Sequence, residues 1–254
     1  MILNRYDGYA ISYGAGVNST AMVIMLVGDG WRGPIVFADT SCEWPETYCY
    51  MEMFGRDWLR PRGLRVTTLG SEWRSSLSKA PLIDYCEYGH TGCGPTLPGI
   101  GFRWCTKDWK IRPMDRWLRA NPAVTEYLIG IAADESHRRP EGVRPLVDRH
   151  IGREDCIRII QDAGLSVPQK SGCYICPFQT VAQLRRLWDL HPELYERVQC
   201  IEESVIAQRG AIGKLLQGKR SLTELRLAFE NQLPMFEDVD MDRMLRFQPC
   251  ECSR

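Results

Sequence analysis

Residues 8 to 30, GYAISYGAGVNSTAMVIMLVGDG, constrain the fold more than any other segment of this chain. GYAISY reads as a short buried strand, GAGVNS as a turn of small residues, and TAMVIMLVGDG as an apolar helix ended by glycine. A strand feeding a glycine-rich turn that opens a helix makes an anion site, because unpaired backbone N–H groups and the positive end of the helix dipole meet at one spot. Gly14, Ala15 and Gly16 allow close approach, and Asn18, Ser19 and Thr20 add side-chain donors. Phosphate is the natural ligand; a tight strand-to-helix connection with no ligand is the alternative. The segment lacks both the Gly-Lys-Ser/Thr of a Walker loop and the GxGxxG spacing of dinucleotide folds.

The same alternation continues down the chain. PIVFADT at 34 to 40 and LRVTTLG at 64 to 70 read as strands, with a helix from Pro45 to about Leu59 between them, and EYLIGIAAD at 126 to 134 gives a fourth strand. This pattern predicts an α/β fold, a parallel twisted sheet with helices on both faces. The stretch from Tyr85 to Arg103 holds five glycines and two prolines between Cys86 and Phe102 and reads as a long functional loop. Residues 107 to 118 read as helical with Pro113 inside, 153 to 164 as another helix, and 168 to 178 as a loop. From 180 to about 230 the pattern is amphipathic helix broken near His191 and Gly210. The expected organisation is one nucleotide-binding domain over 1 to 180 and a helical region with a mobile tail over 181 to 254.

Composition narrows the class. The chain is 44% hydrophobic and 25% charged, ordinary globular values. Lys plus Arg equal Asp plus Glu at 32 each, so net charge gives no reason to invoke nucleic acid; Arg138, Arg139, Arg144 and Arg149 are candidates for a local basic strip. The N-terminus has no signal-peptide pattern and no run of about 18 apolar residues occurs, which predicts a cytoplasmic protein without a membrane partner. Eleven cysteines are many for a reducing compartment, and the number is odd, so complete internal pairing is impossible. Metal ligation, redox chemistry and plain burial are the alternatives. Cys173 and Cys176 form a CxxC in SGCYICPF, a spacing that lets both sulfurs face one metal. Cys86, His90 and Cys93 show no fourth ligand nearby, and Cys42, Cys49 and Cys156 read as packing residues.

YGAGVNSTAM resembles the FSGGVDSTAL loop of the PP-loop ATP pyrophosphatases and phosphoadenylylsulfate (PAPS) reductases. Gly16, Val17, Ser19, Thr20 and Ala21 match; Gly14 stands for serine, Ala15 for glycine and Asn18 for aspartate. FADTSCEWPETYCY, GIAADESHRR, RWCTKDWKIRPM and KSGCYICPFQ also resemble blocks of that family, nearest in type to the ATP pyrophosphatases of DNA phosphorothioation systems. The blocks cover residues 10 to 180.

The resemblance implies an adenine nucleotide alpha hydrolase-like, Rossmann-like domain. It implies that ATP or a sulfonucleotide lies on Gly14 to Thr20, with Asp39 and Thr40 near base and ribose, and Asp134, Glu135, Ser136 and Arg138 at the phosphate end. Carboxylates there can hold Mg²⁺, while Arg138 and Lys110 can neutralise phosphate charge. Asn18, Ser19, Lys110 and Arg138 are thus the implied catalytic groups. Aligning Lys110-Ile111-Arg112-Pro113 with the family's Lys-Val-x-Pro block adds Cys105 to Cys173 and Cys176 as ligands of a [4Fe–4S] cluster, with zinc as the alternative metal. A fourth ligand would be Cys93, Cys200 or none. Glu251-Cys252 resembles the reductase terminus, which makes Cys252 a candidate nucleophile.

Three functional expectations follow. The first is an ATP pyrophosphatase adenylating an acceptor for sulfur incorporation, with DNA or tRNA as acceptor and a cysteine desulfurase as sulfur source. The second is a sulfonucleotide reductase releasing sulfite, with thioredoxin as reductant. The third is nucleotide binding without turnover.

Overall fold

The computed structural model describes residues 5–89, 94–138, 142–216 and 220–231. Four short strands, β1 (Tyr9–Ser12), β2 (Ile35–Ala38), β3 (Val66–Leu69) and β4 (Glu126–Ile129), form one sheet in the order β3-β2-β1-β4. Every pairing is parallel, with Ile11 opposite both Ile35 and Leu128, and Val36 opposite Thr67. The protein is therefore the α/β type that the strand–helix alternation predicts.

Period-2 alternation assigns the faces. Ile11, Ile35, Phe37 and Leu128 point into one core with α1 (Val17–Gly28), α2 (Pro45–Met53) and the later helix α7 (Arg153–Asp162). Burying Ile11, Ile35 or Leu128 contributes about 1.5–3 kcal/mol each. Ala10, Val36 and Leu69 face the other way, onto Met114 and Trp117 of α5 (Arg112–Ala120). α2 opens with Pro45 in its first turn and widens after Met53 into a π-helical turn, Phe54–Leu59, which stacks Phe54 on Tyr13, Tyr50 and Trp58.

One expectation on element limits is corrected and another is borne out in a refined form. Part of the supposed loop after Tyr85 is helical: α3 (Leu82–Tyr88) buries Leu82, Ile83 and Cys86, so its apolar spacing outweighs the glycines that follow. The helix around Pro113 is composite, α4 (Trp104–Thr106), a π-helical turn at Lys107–Ile111, then α5. Pro113 falls in the first turn of α5, where a missing N–H is tolerated.

α6 (Pro145–Asp148) precedes α7, and the remaining described chain forms α8 (Val181–Leu190), α9 (Pro192–Arg209) and α10 (Leu222–Glu230). These helices share a second core with Cys42, Trp44, α3, Trp109 and the CxxC loop. At its centre Glu202, fully buried, accepts the backbone N–H groups of Leu215 and Leu222. Among the described residues no helix is long and apolar enough to cross a membrane.

Candidate functional site

β1 lies between β2 and β4, so the chain leaves β1 toward one side and returns on the other. Open parallel sheets bind ligands outside the carboxyl ends of their strands at such a switch point. Here the β1–α1 loop and the segment after β4 meet there. A Cβ at Gly130 would lie 2.8 Å from Ser19 Cα and 2.9 Å from Ser19 N, so only glycine permits this approach.

The loop is anchored from below. Ala15, Val17 and Thr20 are buried, and Thr20 Oγ1 bonds the Tyr13 hydroxyl at 3.3 Å. Ser19 Oγ accepts the N–H groups of Gly14 and Gly16, each at 3.3 Å, and donates to Gly16 O at 3.1 Å. Ala15, where the resembled loop has glycine, holds φ +53°, a left-handed conformation that glycine adopts without strain. Alanine at this position therefore carries backbone strain that glycine would not.

Gly14, Gly16, Val17, Asn18 and Ser19 line a cleft of about 710 Å³, within the range of about 300–1,000 Å³ usual for small-molecule sites. Phe37, Ile111, Met114, Leu118 and Ile129 supply an apolar side. At the loop end stand Lys110, Arg138, Arg153 and Lys170, with Glu43 and Glu135. Asn18 is the hub: its amide donates to Glu135 Oε2 at 3.5 Å and accepts from Arg153 Nη1 at 2.9 Å. Arg138 Nη1 donates to the same Glu135 oxygen at 2.8 Å, inside a buried ion pair. Both carboxylates at this end are engaged, since Glu43 pairs with Lys110 Nζ at 2.9 Å. Asp134 is exposed, outside the cleft lining, and accepts the Arg153 backbone N–H at 3.3 Å. A protein-held Mg²⁺ draws on one or two carboxylates. These residues do not fit one, because each acid beside the loop already faces a cation or an N–H donor.

Cys105, Cys173 and Cys176 line one smaller cavity, together with Thr40, Arg103 and Phe178. Leu82, the stretch from Pro98 to Lys110, Thr40 and the CxxC loop create it. The residues after β2 pair with the CxxC loop through the Glu43–Cys173 bridge and the bonds Trp44 N–H to Gly172 O (3.1 Å) and Tyr174 N–H to Cys42 O (3.0 Å). Burial pushes the Cys105 thiol up, against the opposing pull of the Thr106 hydroxyl and the Lys110 ammonium. The three cysteines that line this cavity are a soft donor set of the chemistry an iron–sulfur cluster uses. Among the described residues no group of three His, Cys, Asp or Glu side chains is gathered for a single ion. Lys110 and Thr106 line both cavities, and Glu43 is the hinge between them: its carboxylate also receives the Thr40 hydroxyl at 3.3 Å and the Cys173 thiol at 3.6 Å.

No protein-family model matches this chain, and no curated protein matches it. The chemistry of the site therefore rests on its geometry and on the resemblance of its motifs.

The structure brings together most of the residues that the sequence singles out, and redistributes others. Asp39 does not line the cleft; its carboxylate accepts the Ser41 N–H at 2.7 Å and the Tyr48 hydroxyl at 2.6 Å, folding the loop after β2 back on itself. Thr40 turns to the cysteine cavity, and its hydroxyl lies 3.3 Å from Cys173 Sγ. Ser136 is exposed and outside the cleft lining. Cys200 is exposed on α9, and Cys49 is exposed rather than packed, whereas Cys42 and Cys156 are buried. Among the described residues the arginines form no open basic strip: Arg138 is buried, Arg144 donates to the carbonyls of Ser136 and Arg138, and Arg149 pairs with Asp29. Cys93, Arg139, Cys250 and Cys252 lie outside the described residues.

Glu43, Arg153, Lys170 and Ser171 join the site without having been singled out. Ser171 comes so close to Gly16 that a Cβ there would lie 2.8 Å from its hydroxyl oxygen. The Lys-Ser-Gly run ahead of the CxxC is the sequence signal for that contact; Arg153, at the start of an unremarkable amphipathic helix, has none.

Proposed function

We propose that this chain is a sulfur-handling enzyme of the PP-loop type, an ATP pyrophosphatase that adenylates an acceptor for sulfur incorporation. The observation that carries this reading is the shared wall. A glycine-rich anion loop at the switch point and a three-cysteine cavity are joined through Lys110 and Thr106.

In this reading the adenine takes the apolar side of the cleft and the phosphates lie against the loop. The acceptor's nucleophilic oxygen attacks the α-phosphorus, the bond to the α–β bridging oxygen breaks, and pyrophosphate leaves. A sulfur nucleophile from a desulfurase then displaces AMP from the adenylated acceptor, which is a nucleic acid such as DNA or tRNA. Lys110, Arg138, Arg153 and Lys170 offset the charge gathering on the departing pyrophosphate, the largest electrostatic demand of the step. Ser19, which accepts the Gly14 and Gly16 N–H groups, and Asn18, which accepts from Arg153, fix the shape of the loop. Cys105, Cys173 and Cys176 would hold the iron–sulfur cluster, which would supply an iron centre able to bind sulfide.

One observation favours a second reading. The Asn18–Arg153 and Glu135–Arg138 pairs form an oxyanion clamp without a metal, which suits an adenylylsulfate as well as ATP. A reductase would use Cys252 as nucleophile and thioredoxin to release the enzyme-bound product.

Anaerobically purified protein incubated with ATP and an acceptor oligonucleotide should release pyrophosphate and contain iron and acid-labile sulfide. Sulfite release from an adenylylsulfate, with no pyrophosphate from ATP, would transfer the assignment to the reductase. Tight nucleotide binding with neither product would leave a nucleotide-gated binding protein.

A further inference from the structure

We infer that the loop end of the cleft is a guanidinium clamp standing where a PP-loop enzyme would place a divalent cation, so that nucleotide phosphate binds here without Mg²⁺. This rests on the reading that the cleft takes a nucleotide. Asn18 occupies the position at which the resembled loop carries aspartate, and the structure gives the amide a task that aspartate could not perform. Its nitrogen donates to Glu135 Oε2 and its oxygen accepts from Arg153 Nη1. A carboxylate at residue 18 would keep the Arg153 contact but would set two acids 3.5 Å apart at Glu135, a like-charge contact that costs stability or forces one acid to take a proton.

Arg153 is held on both sides. Its backbone N–H at the start of α7 donates to Asp134 Oδ2 at 3.3 Å, and its side chain reaches across to Asn18 on α1. Those two anchors keep the guanidinium at the cleft wall beside the loop. Arg138 is fixed in the same way by Glu135, 2.8 Å away. The cleft lining holds Lys110, Arg138, Arg153 and Lys170 together with Glu43, Glu135, Asp115 and Glu126, and the two acids nearest the loop are each paired with a cation, Glu43 with Lys110 and Glu135 with Arg138. Fixed guanidinium groups bind phosphate or sulfate oxygens directly and in a defined plane. The ligand class is therefore a nucleotide whose oxyanion carries no obligatory metal.

The test is calorimetric titration of the full-length, anaerobically purified protein with the α,β-methylene analogue of ATP, in Mg²⁺ and again in Mg²⁺-free buffer with chelator. The expected result is a Kd that changes by less than about threefold between the two conditions. Arg153→Gln should weaken binding about 10- to 100-fold in the absence of Mg²⁺, the loss of one charge-assisted contact. Asn18→Asp combined with Arg153→Gln should make binding tighten on adding Mg²⁺, because it restores an acid and removes its competing cation. A wild-type affinity that falls more than about tenfold without Mg²⁺ overturns the inference and leaves the pyrophosphatase reading standing. No binding in either condition overturns both. The wild-type comparison needs no substitution, so a variant that fails to fold does not blunt the test.

Discussion

Gly130→Ala probes the meeting of β4 with the anion loop. The added methyl would sit 2.8 Å from Ser19 Cα, 2.9 Å from Ser19 N and 3.2 Å from the Asn18 carbonyl carbon. All three are backbone atoms of the first turn of α1, and that turn is pinned by Ala15, Val17 and Thr20 in the core. It cannot retreat as a flexible side chain would. Overpacking of this kind costs about 1–3 kcal/mol, and contact with fixed backbone puts this site in the upper half, about 2–3 kcal/mol. For a chain of this size that lowers Tm by about 4–12 °C, with the urea midpoint falling and the slope unchanged. Nucleotide affinity should fall too, because the loop is displaced from the segment that carries Glu135 and Arg138. Gly55→Ala is the reference substitution: no atom lies within 4 Å of its would-be Cβ, and the residue is helical, so alanine should be neutral or stabilise by up to about 1 kcal/mol. Equal unfolding midpoints for Gly130→Ala and the wild type, or matching shifts for the two variants, would refute the close approach.

Three further outcomes are expected. Cys105→Ser, Cys173→Ser and Cys176→Ser should each deplete bound iron and sulfide, while Cys200→Ser, on an exposed face of α9, should retain them; iron loss in Cys200→Ser would contradict the placement of the cavity. In native protein, alkylation mapped by mass spectrometry should modify Cys49 and Cys200 rapidly and spare Cys42, Cys86 and Cys156 until denaturation, since burial raises the last three thiols, Cys156 to about 12. Burial outweighs the two N–H bonds at Glu202 and raises its pKa, so its contribution favours folding at low pH and is lost as pH rises through the raised value. Glu202→Gln should flatten that part of the stability–pH curve, read by urea unfolding across the carboxylate range. It also leaves one of the Leu215 and Leu222 N–H groups without its acceptor, at about 1–3 kcal/mol at all pH values.

Local sequence determined the elements. The quartets YAIS, IVFA and VTTL, rich in apolar and β-branched residues and each bounded by turn residues, read as short strands, and Gly14 to Gly16 ahead of an apolar helix marked the anion loop. The CxxC was legible for the same reason: both sulfurs come from one short loop, so their proximity is a matter of spacing. The chain's own residues also marked positions 15 and 18 as departures from the resembled loop, but not what the departures do. That needed the partners. Ala15 became meaningful only with its positive φ, and Asn18 only once Glu135 and Arg153, 117 and 135 residues away, were seen on either side of its amide.

Tertiary structure alone decided which charges face each other. Strand order β3-β2-β1-β4 puts the end of β4 against the start of α1, and no local signal encodes that adjacency. The same is true of Glu43, which no local signal singles out and which is 2% exposed, shared among Lys110, Thr40 and Cys173. Asp39 and Thr40 show the converse, for residues adjacent in the chain turn to different partners once the backbone bends after β2. Periodicity and turn chemistry are written over a few neighbouring residues and survive in the linear text. Ion pairing, burial and the sharing of one lysine between two cavities depend on groups far apart in sequence, and only the packing of the sheet against its helices brings them within bonding distance.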